Sequence, residues 1–316
     1  MHYFIEFSLA FVFQTQAICI SIIIFVYFAK NPTARLKREH HSWLVLLVMN
    51  FVQLMSDLPI ALSFYYRGTV WPASDTFCAW WVWISFSSDT GALFLMVWIA
   101  IERHLLIFPS QTIFQRQSIK RMVHISALII CVIWAPIVYL ILVVFSTPCT
   151  PQWNFTQLLC GPPCYTYTGF YGQYDFILNV CFPLFLNILI NILLIIRVIR
   201  QKLSRQQRFR WRRHRKMIIQ FWALSTLHLA LWSPLVSVSL IQTTVDPTFM
   251  ADQYTTLEYI LYYMPLLLPL TCLLAMPSLV REIIGPLFTR RANVIAIADL
   301  QPVAGNGQVN TVIAAQ

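Results

Sequence analysis

Charge is the scarcest commodity in this sequence. Only 11% of its 316 residues are Asp, Glu, Lys or Arg, while 58% are hydrophobic; soluble domains carry about 25% charge. That shortage excludes an ordinary water-soluble globule, because lipid has to cover the excess apolar surface. The eight cysteines include no CxxC pair, and Cys160 and Cys164 have no histidine at ligand spacing, so neither a zinc site nor any other bound metal is expected. No nucleophile–base pair and no phosphate loop occur, which leaves an enzyme without residues to carry it and a cofactor without a cradle. No basic segment precedes the apolar start, Met1 to about Tyr27, and the run is too long for the core of a signal peptide. It is expected to stay and span. No internal repeat and no soluble domain interrupt the chain.

What is there is a set of seven apolar runs, at about 4–29, 43–66, 77–107, 122–146, 172–198, 217–242 and 255–280. Each has the ~20 residues that cross about 30 Å of hydrocarbon. Period-2 alternation is missing, so the runs are helices and not barrel strands. The expected fold is an all-α membrane protein, a seven-transmembrane helix bundle over 1–289 with a short cytoplasmic tail at 290–316. Little chain precedes the first run or follows Phe288, and that tail holds only Thr289 and Thr311 as hydroxyls and no cysteine. Residues 281–288 read as a short surface helix interrupted at Gly285-Pro286.

The net charge of +10 would suit nucleic acid if it lay on one exposed surface, but it is split among alternate loops. Lys30, Arg35, Lys37 and Arg38 follow the first run; Arg116, Lys120 and Arg121 follow the third; a dense basic stretch at 197–216 joins the fifth to the sixth. The opposite loops hold only Arg67. Positive charge stays cytoplasmic, so the N-terminus is extracellular. The stretch at 197–216 is read as an anchor facing anionic membrane lipid, and no nucleic-acid partner is expected. The one glycosylation sequon, Asn154-Phe155-Thr156, and Cys149, Cys160 and Cys164 share an outer loop, where oxidising conditions permit disulfides.

Charge inside a membrane helix is costly and points to function. Glu102-Arg103-His104, at the inner end of the third run, resembles the (Asp/Glu)-Arg-Tyr motif of rhodopsin-like (class A) G-protein-coupled receptors. Cys78 lies 25 residues before Arg103, and Trp71 seven before Cys78, as that family spaces them. Trp134, Pro183 and Leu231-Trp232-Ser233-Pro234 are similar to its marks in the fourth, fifth and sixth helices. There are departures. The seventh helix reads Met276-Pro277-Ser278-Leu279-Val280 and keeps only Pro277 of Asn-Pro-x-x-Tyr; His228 stands at an aromatic position, Asn191 at a tyrosine, and Asn50 where the second-helix aspartate falls. No lysine in the seventh helix means no retinal Schiff base.

The resemblance implies a plasma-membrane receptor for an extracellular ligand, with a heterotrimeric G protein as inner partner. Arg103 would pair with Glu102 at rest and meet the G protein when helix 6 swings out. Trp232 would sense the ligand and Pro234 would supply a hinge by removing a backbone hydrogen bond. Pro183, Leu93 and His228 would form the contact between helices 5, 3 and 6. His228 is read as a neutral core histidine, with a proton-sensitive switch as the alternative. Cys78 would be tied by a disulfide to Cys160 or Cys164, with Cys149 closing a second bridge.

At about 100° per residue, Asp89 and Ser85 share Arg103's face, with Asp89 about 21 Å nearer the outside. Asp57 shares a face with Asn50. A ligand pocket is expected from Asp57, Ser85, Asp89, Trp232, Leu235 and Tyr262. The two carboxylates either bind a cationic group of the ligand or hydrogen-bond between helices. Asp89 is one turn deeper than the aspartate of aminergic receptors, whose place is taken by Ser85, so an extracellular peptide is favoured over a small cationic amine. The alternatives are a seven-helix transporter or channel, which calls for inverted repeats or broken helices that the sequence does not display, and a degenerate receptor that does not signal.

Overall fold

A computed structural model describes residues 2–35, 38–107, 117–145, 149–203, 208–246 and 248–275. The chain divides into two compact units, Met1–Ala275 and Met276–Gln316. The second lies outside the described residues, and with it Pro277, the surface helix at 281–288 and the boundary expected at 289.

Seven long helices follow one another. They are α1 (His2–Lys30), α2 (Arg38–Arg67), α3 (Asp75–Ile107) and α4 (Gln117–Tyr139, prolonged by a π-helical turn over Leu140–Val144). Then come α5 (Gly169–Asp175, π-helical over Phe176–Cys181, then Phe182–Leu203), α6 (Arg208–Thr244) and α7 (Ala251–Leu261 and Tyr263–Ala275). Each contains a stretch of 23 to 31 residues apolar enough to cross a membrane. No strand occurs among the described residues. The expected seven-helix bundle is the fold found.

In hydrocarbon a helix satisfies its own backbone, but it gains nothing from hydrophobic attraction to its neighbours, since lipid tails are equally apolar. Close packing and inward polar side chains hold the bundle together. α1 packs on α2 and α7, α2 on α3 and α7, α6 on α5 and α7, and α3 touches α2, α4, α5 and α6. α3 is the axis: 61% of its spanning window is buried, against 22% for α4. Apolar residues such as Ile130 and Ile137 of α4 and Phe185 of α5 are left exposed to lipid.

Prolines decide where the helices loosen. Pro183 has no N–H for the carbonyl of Asn179, and the turns just ahead of it open into the π stretch of α5. Pro265 and Pro269 act likewise in α7, which tightens and breaks at Tyr262, whose N–H bonds the Tyr259 carbonyl at 3.2 Å. Pro269 also frees the carbonyl of Pro265, and the side chain of Asn50 donates to it at 3.0 Å. A gap in one helix is thereby filled from another. These are local changes of winding in α5 and α7 that the sequence alone did not reveal, and both helices still span as one. α6, in contrast, stays continuous through Pro234.

Further side-chain ties join the helices. Gln14 donates to the Leu54 carbonyl, Trp83 to the Pro136 carbonyl and Tyr259 to the Glu6 carbonyl, at 2.9, 3.0 and 3.0 Å. Gly91 lets α2 and α4 approach α3, since a Cβ there would lie 3.3 Å from Met49 Cε.

Replacing Asn50 by Leu removes the donor and leaves the Pro265 carbonyl without its partner. The expected loss is about 1–3 kcal/mol, read as a lower midpoint of thermal unfolding in detergent. An unchanged midpoint would show that the α2–α7 tie does not depend on Asn50.

Candidate functional site

Trp81, Ser85 and Asp89 recur every four residues on α3, and so line one face of it. Gln53 and Asp57 do the same on α2. The two faces meet. Asp57 accepts hydrogen bonds from Trp81 Nε1 at 2.7 Å and Ser85 Oγ at 3.1 Å, and Gln53 Nε2 donates to Asp89 Oδ1 at 2.7 Å. Asp57 is fully buried, whereas Asp89 is only half-buried. The expected convergence of the two acids on the outer half of the bundle is present, but each is also tied within the protein. Tyr262, buried on α7, lies within electrostatic reach of both, and also of Glu258 one turn above it. Its hydroxyl has no hydrogen-bond partner among the described residues. Leu235 is half-buried on α6. Trp232 stands apart from this polar group, in an apolar cluster with Leu93 and Leu184.

The outer entrance is built by a stapled loop. Cys78 at the start of α3 is bonded to Cys160, and Cys149 to Cys164. Leu159 and Cys160 both have positive φ, at 54° and 58°, followed by Gly161 at 76°. Such a left-handed run costs about 1–3 kcal/mol per non-glycine residue. It is held by the Cys78 bridge, by the Asn154 N–H on the Cys160 carbonyl at 2.9 Å and by the Val70 N–H on the Phe155 carbonyl at 2.8 Å. Asn154 is exposed, and its Oδ1 accepts from the Thr156 hydroxyl at 2.6 Å. Gly172 is required where the loop meets α5, because a Cβ there would sit 2.4 Å from the Thr166 carbonyl oxygen.

Below the loop lies a network that the sequence did not announce. Asp175, buried at the head of α5, accepts from Tyr139 at 2.9 Å, Tyr165 at 2.8 Å and Asn179 at 2.7 Å. Tyr139 also meets Thr90 at 3.0 Å, and Trp134 donates to Asn179 at 3.0 Å. One carboxylate thus joins α3, α4, α5 and the outer loop, with every bond made by a partner of the right kind.

α6 is held differently. His228 stacks on Trp232 with ring centroids 6.3 Å apart, and Trp232 packs on Leu93 of α3 and Leu184 of α5, with Pro183 buried beside Leu184. Neither ring nitrogen of His228 has a hydrogen-bond partner among the described residues. From Trp222 to Val238 no side chain of α6 hydrogen-bonds another helix among the described residues; the tie to α7 comes at the outer end, between Ser239 and Tyr254.

At the inner end of α3, Glu102 and Arg103 are both buried. Glu102 accepts from Ser42 of α2 at 2.5 Å, and His124 Nδ1 of α4 lies 3.4 Å from its other oxygen. The Arg103 guanidinium carbon is 6.0 Å from the centre of the Trp43 ring. His104 is half-buried.

The family model for the 7 transmembrane receptor (rhodopsin family) matches residues 17–274. The chain belongs to that family. It is a multi-pass receptor of the plasma membrane, of the class that binds extracellular ligands and couples to G proteins, and the family is one of receptors and not of enzymes. A search of curated proteins gives no match.

In this receptor the expected site residues fall into three groups. Asp57, Ser85, Asp89 and Tyr262 lie together in the outer half; Trp232, His228 and Pro183 lie at the waist; Glu102, Arg103 and His104 lie at the inner end. Pro234 is exposed on α6. Gln53, Trp81, Glu258 and His124 were missed. The first two sit at helical spacing from Asp57 and Ser85, so the face that named the acids also held their partners. Glu258 is another acid in an apolar run, four residues before Tyr262, and that signal was available.

Burial of His228 without a partner costs stability, so His228→Phe, which keeps an aromatic ring and removes two polar atoms, should raise the thermal midpoint by the equivalent of about 1–3 kcal/mol. A fall would show that the imidazole makes a bond essential to the resting bundle.

Proposed function

We propose that this receptor binds an extracellular cationic ligand, neuropeptide-like in preference to a small amine, in the outer half of its bundle, and activates a heterotrimeric G protein through outward movement of α6. The observation that carries the reading is the uneven placement of polar ties. α2, α3, α4 and α5 are hydrogen-bonded to one another, and α7 to α1 and α2. Between Trp222 and Val238, α6 rests on an apolar contact that can slide at low cost, and Pro234 removes one of its backbone bonds.

Electrostatics supports a cationic ligand. Asp75, Asp246 and Asp252 in and beside the outer loops and Asp57, Asp89 and Glu258 in the bundle face a single outer Arg or Lys, Arg67, whose guanidinium stacks over Trp71 at 4.8 Å. A carboxylate in a low-dielectric site gains most from a cation delivered with the ligand. Of the two acids between α2 and α3, Asp89 is the ligand's partner, because it keeps exposure and has a single donor, Gln53, among the described residues, and Asp57 is the tie between helices. The doubly bridged aromatic loop suits a peptide. Ligand binding and G-protein binding would each favour the α6-out state, and so each strengthens the other. At the inner end, Glu102 with Ser42 and His124 would hold the resting state, and Arg103 would meet the G protein.

The test is a G-protein activation reporter in cells expressing the receptor, screened with peptide and amine libraries. An agonist should appear; Asp89→Asn should weaken it sharply, whereas Asp57→Asn should lower surface expression with little change in the potency of what remains. Arg103→Ala should abolish the signal and His124→Ala should raise it without ligand. Silence with every ligand, together with a basal signal indifferent to Arg103→Ala, would contradict the reading. Asn154 is the proposed glycan carrier: endoglycosidase should shorten the wild-type band and leave Asn154→Gln unmoved, and equal shifts would refute it.

A further inference from the structure

A second site lies away from the acids between α2 and α3. A cleft of about 470 Å³ opens between the first turns of α3, the end of α4 and the outer loop. It is lined by Trp80, Trp83 and Trp153, by Asp75 and by the aliphatic Leu140 and Val144, among others. Asp75 is the first residue of α3, and Val144 the last of the spanning stretch of α4. The cleft is therefore level with the outer membrane boundary, where lipid headgroups lie. Trp80 and Val144 remain exposed, at 42% and 43%, so the cleft is open.

The chemistry of the walls is selective. Ring faces attract a diffuse cation, and a cage of several indoles is the way proteins take up quaternary ammonium groups. Trp83 spends its N–H on the Pro136 carbonyl, which leaves the ring face for contact. Trp153 adds a third indole to the lining, its own N–H buried within the protein. Asp75 supplies negative charge, and Arg67 is stacked on Trp71. Leu140 and Val144 give an acyl chain an apolar wall beneath the headgroup.

We infer that this cleft binds the choline headgroup of an outer-leaflet phosphatidylcholine, with the ammonium among Trp80, Trp83 and Asp75 and the acyl chain against Leu140 and Val144. The site is separate from the acids between α2 and α3 and does not depend on the ligand or G-protein reading. A bound lipid would brace the outer loop against α3 and α4, where Trp153 and Tyr165 already pack with Val82 and Val143.

The experiment is native mass spectrometry of the full-length receptor in detergent, titrated with dihexanoyl phosphatidylcholine, with the matching phosphatidylglycerol and with choline chloride. The receptor should retain the choline lipid several-fold better than the glycerol lipid, and choline should displace it. The combined variant Asp75→Asn with Trp80→Leu should lose the preference, and Asp75→Lys should turn it towards phosphatidylglycerol. Intact mass, with both disulfides formed, and an unshifted thermal midpoint report that each variant is folded. Equal retention of the two lipids by the wild type, failure of choline to compete, or an undiminished preference in the folded variants would overturn the proposal.

Discussion

A polar group inside a membrane has no water to fall back on, and one left without a partner in the protein costs free energy. The architecture of this receptor follows from where those partners are. The Pro265 carbonyl, freed by Pro269, takes its bond from Asn50 on another helix. Asp57 takes two bonds from α3, and Asp175 takes three from α4, the outer loop and its own helix. These bonds turn packed helices into a frame. Between Trp222 and Val238, α6 makes none of them among the described residues and presents Trp232 and an unpartnered His228 to Leu93 and Leu184. Rigidity and freedom are thus assigned by the same rule: a polar tie would have to break for a helix to move, whereas an apolar contact can slide.

The same rule sorts the acids. A carboxylate with two donors and no exposure is structural, and one with a single donor among the described residues and some exposure is the better candidate to receive a cation from outside. Asp57 and Asp89 differ in this way although they are neighbours. Asp175 extends the frame upward, because its phenol partner Tyr165 follows directly on the bridged Cys164. The loop that shapes the entrance is therefore bound to the frame both covalently and through a buried carboxylate.

Much of this was legible in the sequence, for physical reasons. A span of hydrocarbon needs about 20 apolar residues, so the seven runs stood out. The basic loops gave the orientation, and helical periodicity put Ser85 and Asp89 on the face of Arg103. Periodicity names a face but not what stands opposite it, so Trp81 and Gln53 as partners of the acids, and His124 beside Glu102, needed the packed bundle. Cysteine spacing left Cys160 and Cys164 equivalent; only the path of the loop through Leu159 and Gly161 distinguishes them. Asp175 and its phenols lie on separate elements, Tyr165 ten residues before it and Tyr139 36 before it, and no local pattern connects them. The break at Tyr262 was hidden because proline signals a weak point without saying whether the helix kinks, opens or stops, and Pro234 in a continuous α6 shows the other outcome.

The central claim is that α6 moves against a fixed frame. Its most direct test is a pair of spin-label distances in a receptor whose exposed or half-buried free cysteines, Cys19, Cys131 and Cys181, have been replaced. One pair joins Leu105 at the inner end of α3 to Trp222 of α6; the other joins Leu105 to Val48 of α2, and all three positions are exposed. On adding a G protein with its nucleotide removed, the α3–α6 distance should lengthen while the α3–α2 distance stays put. An unchanged α3–α6 distance, or an equal shift in both pairs, would contradict the account.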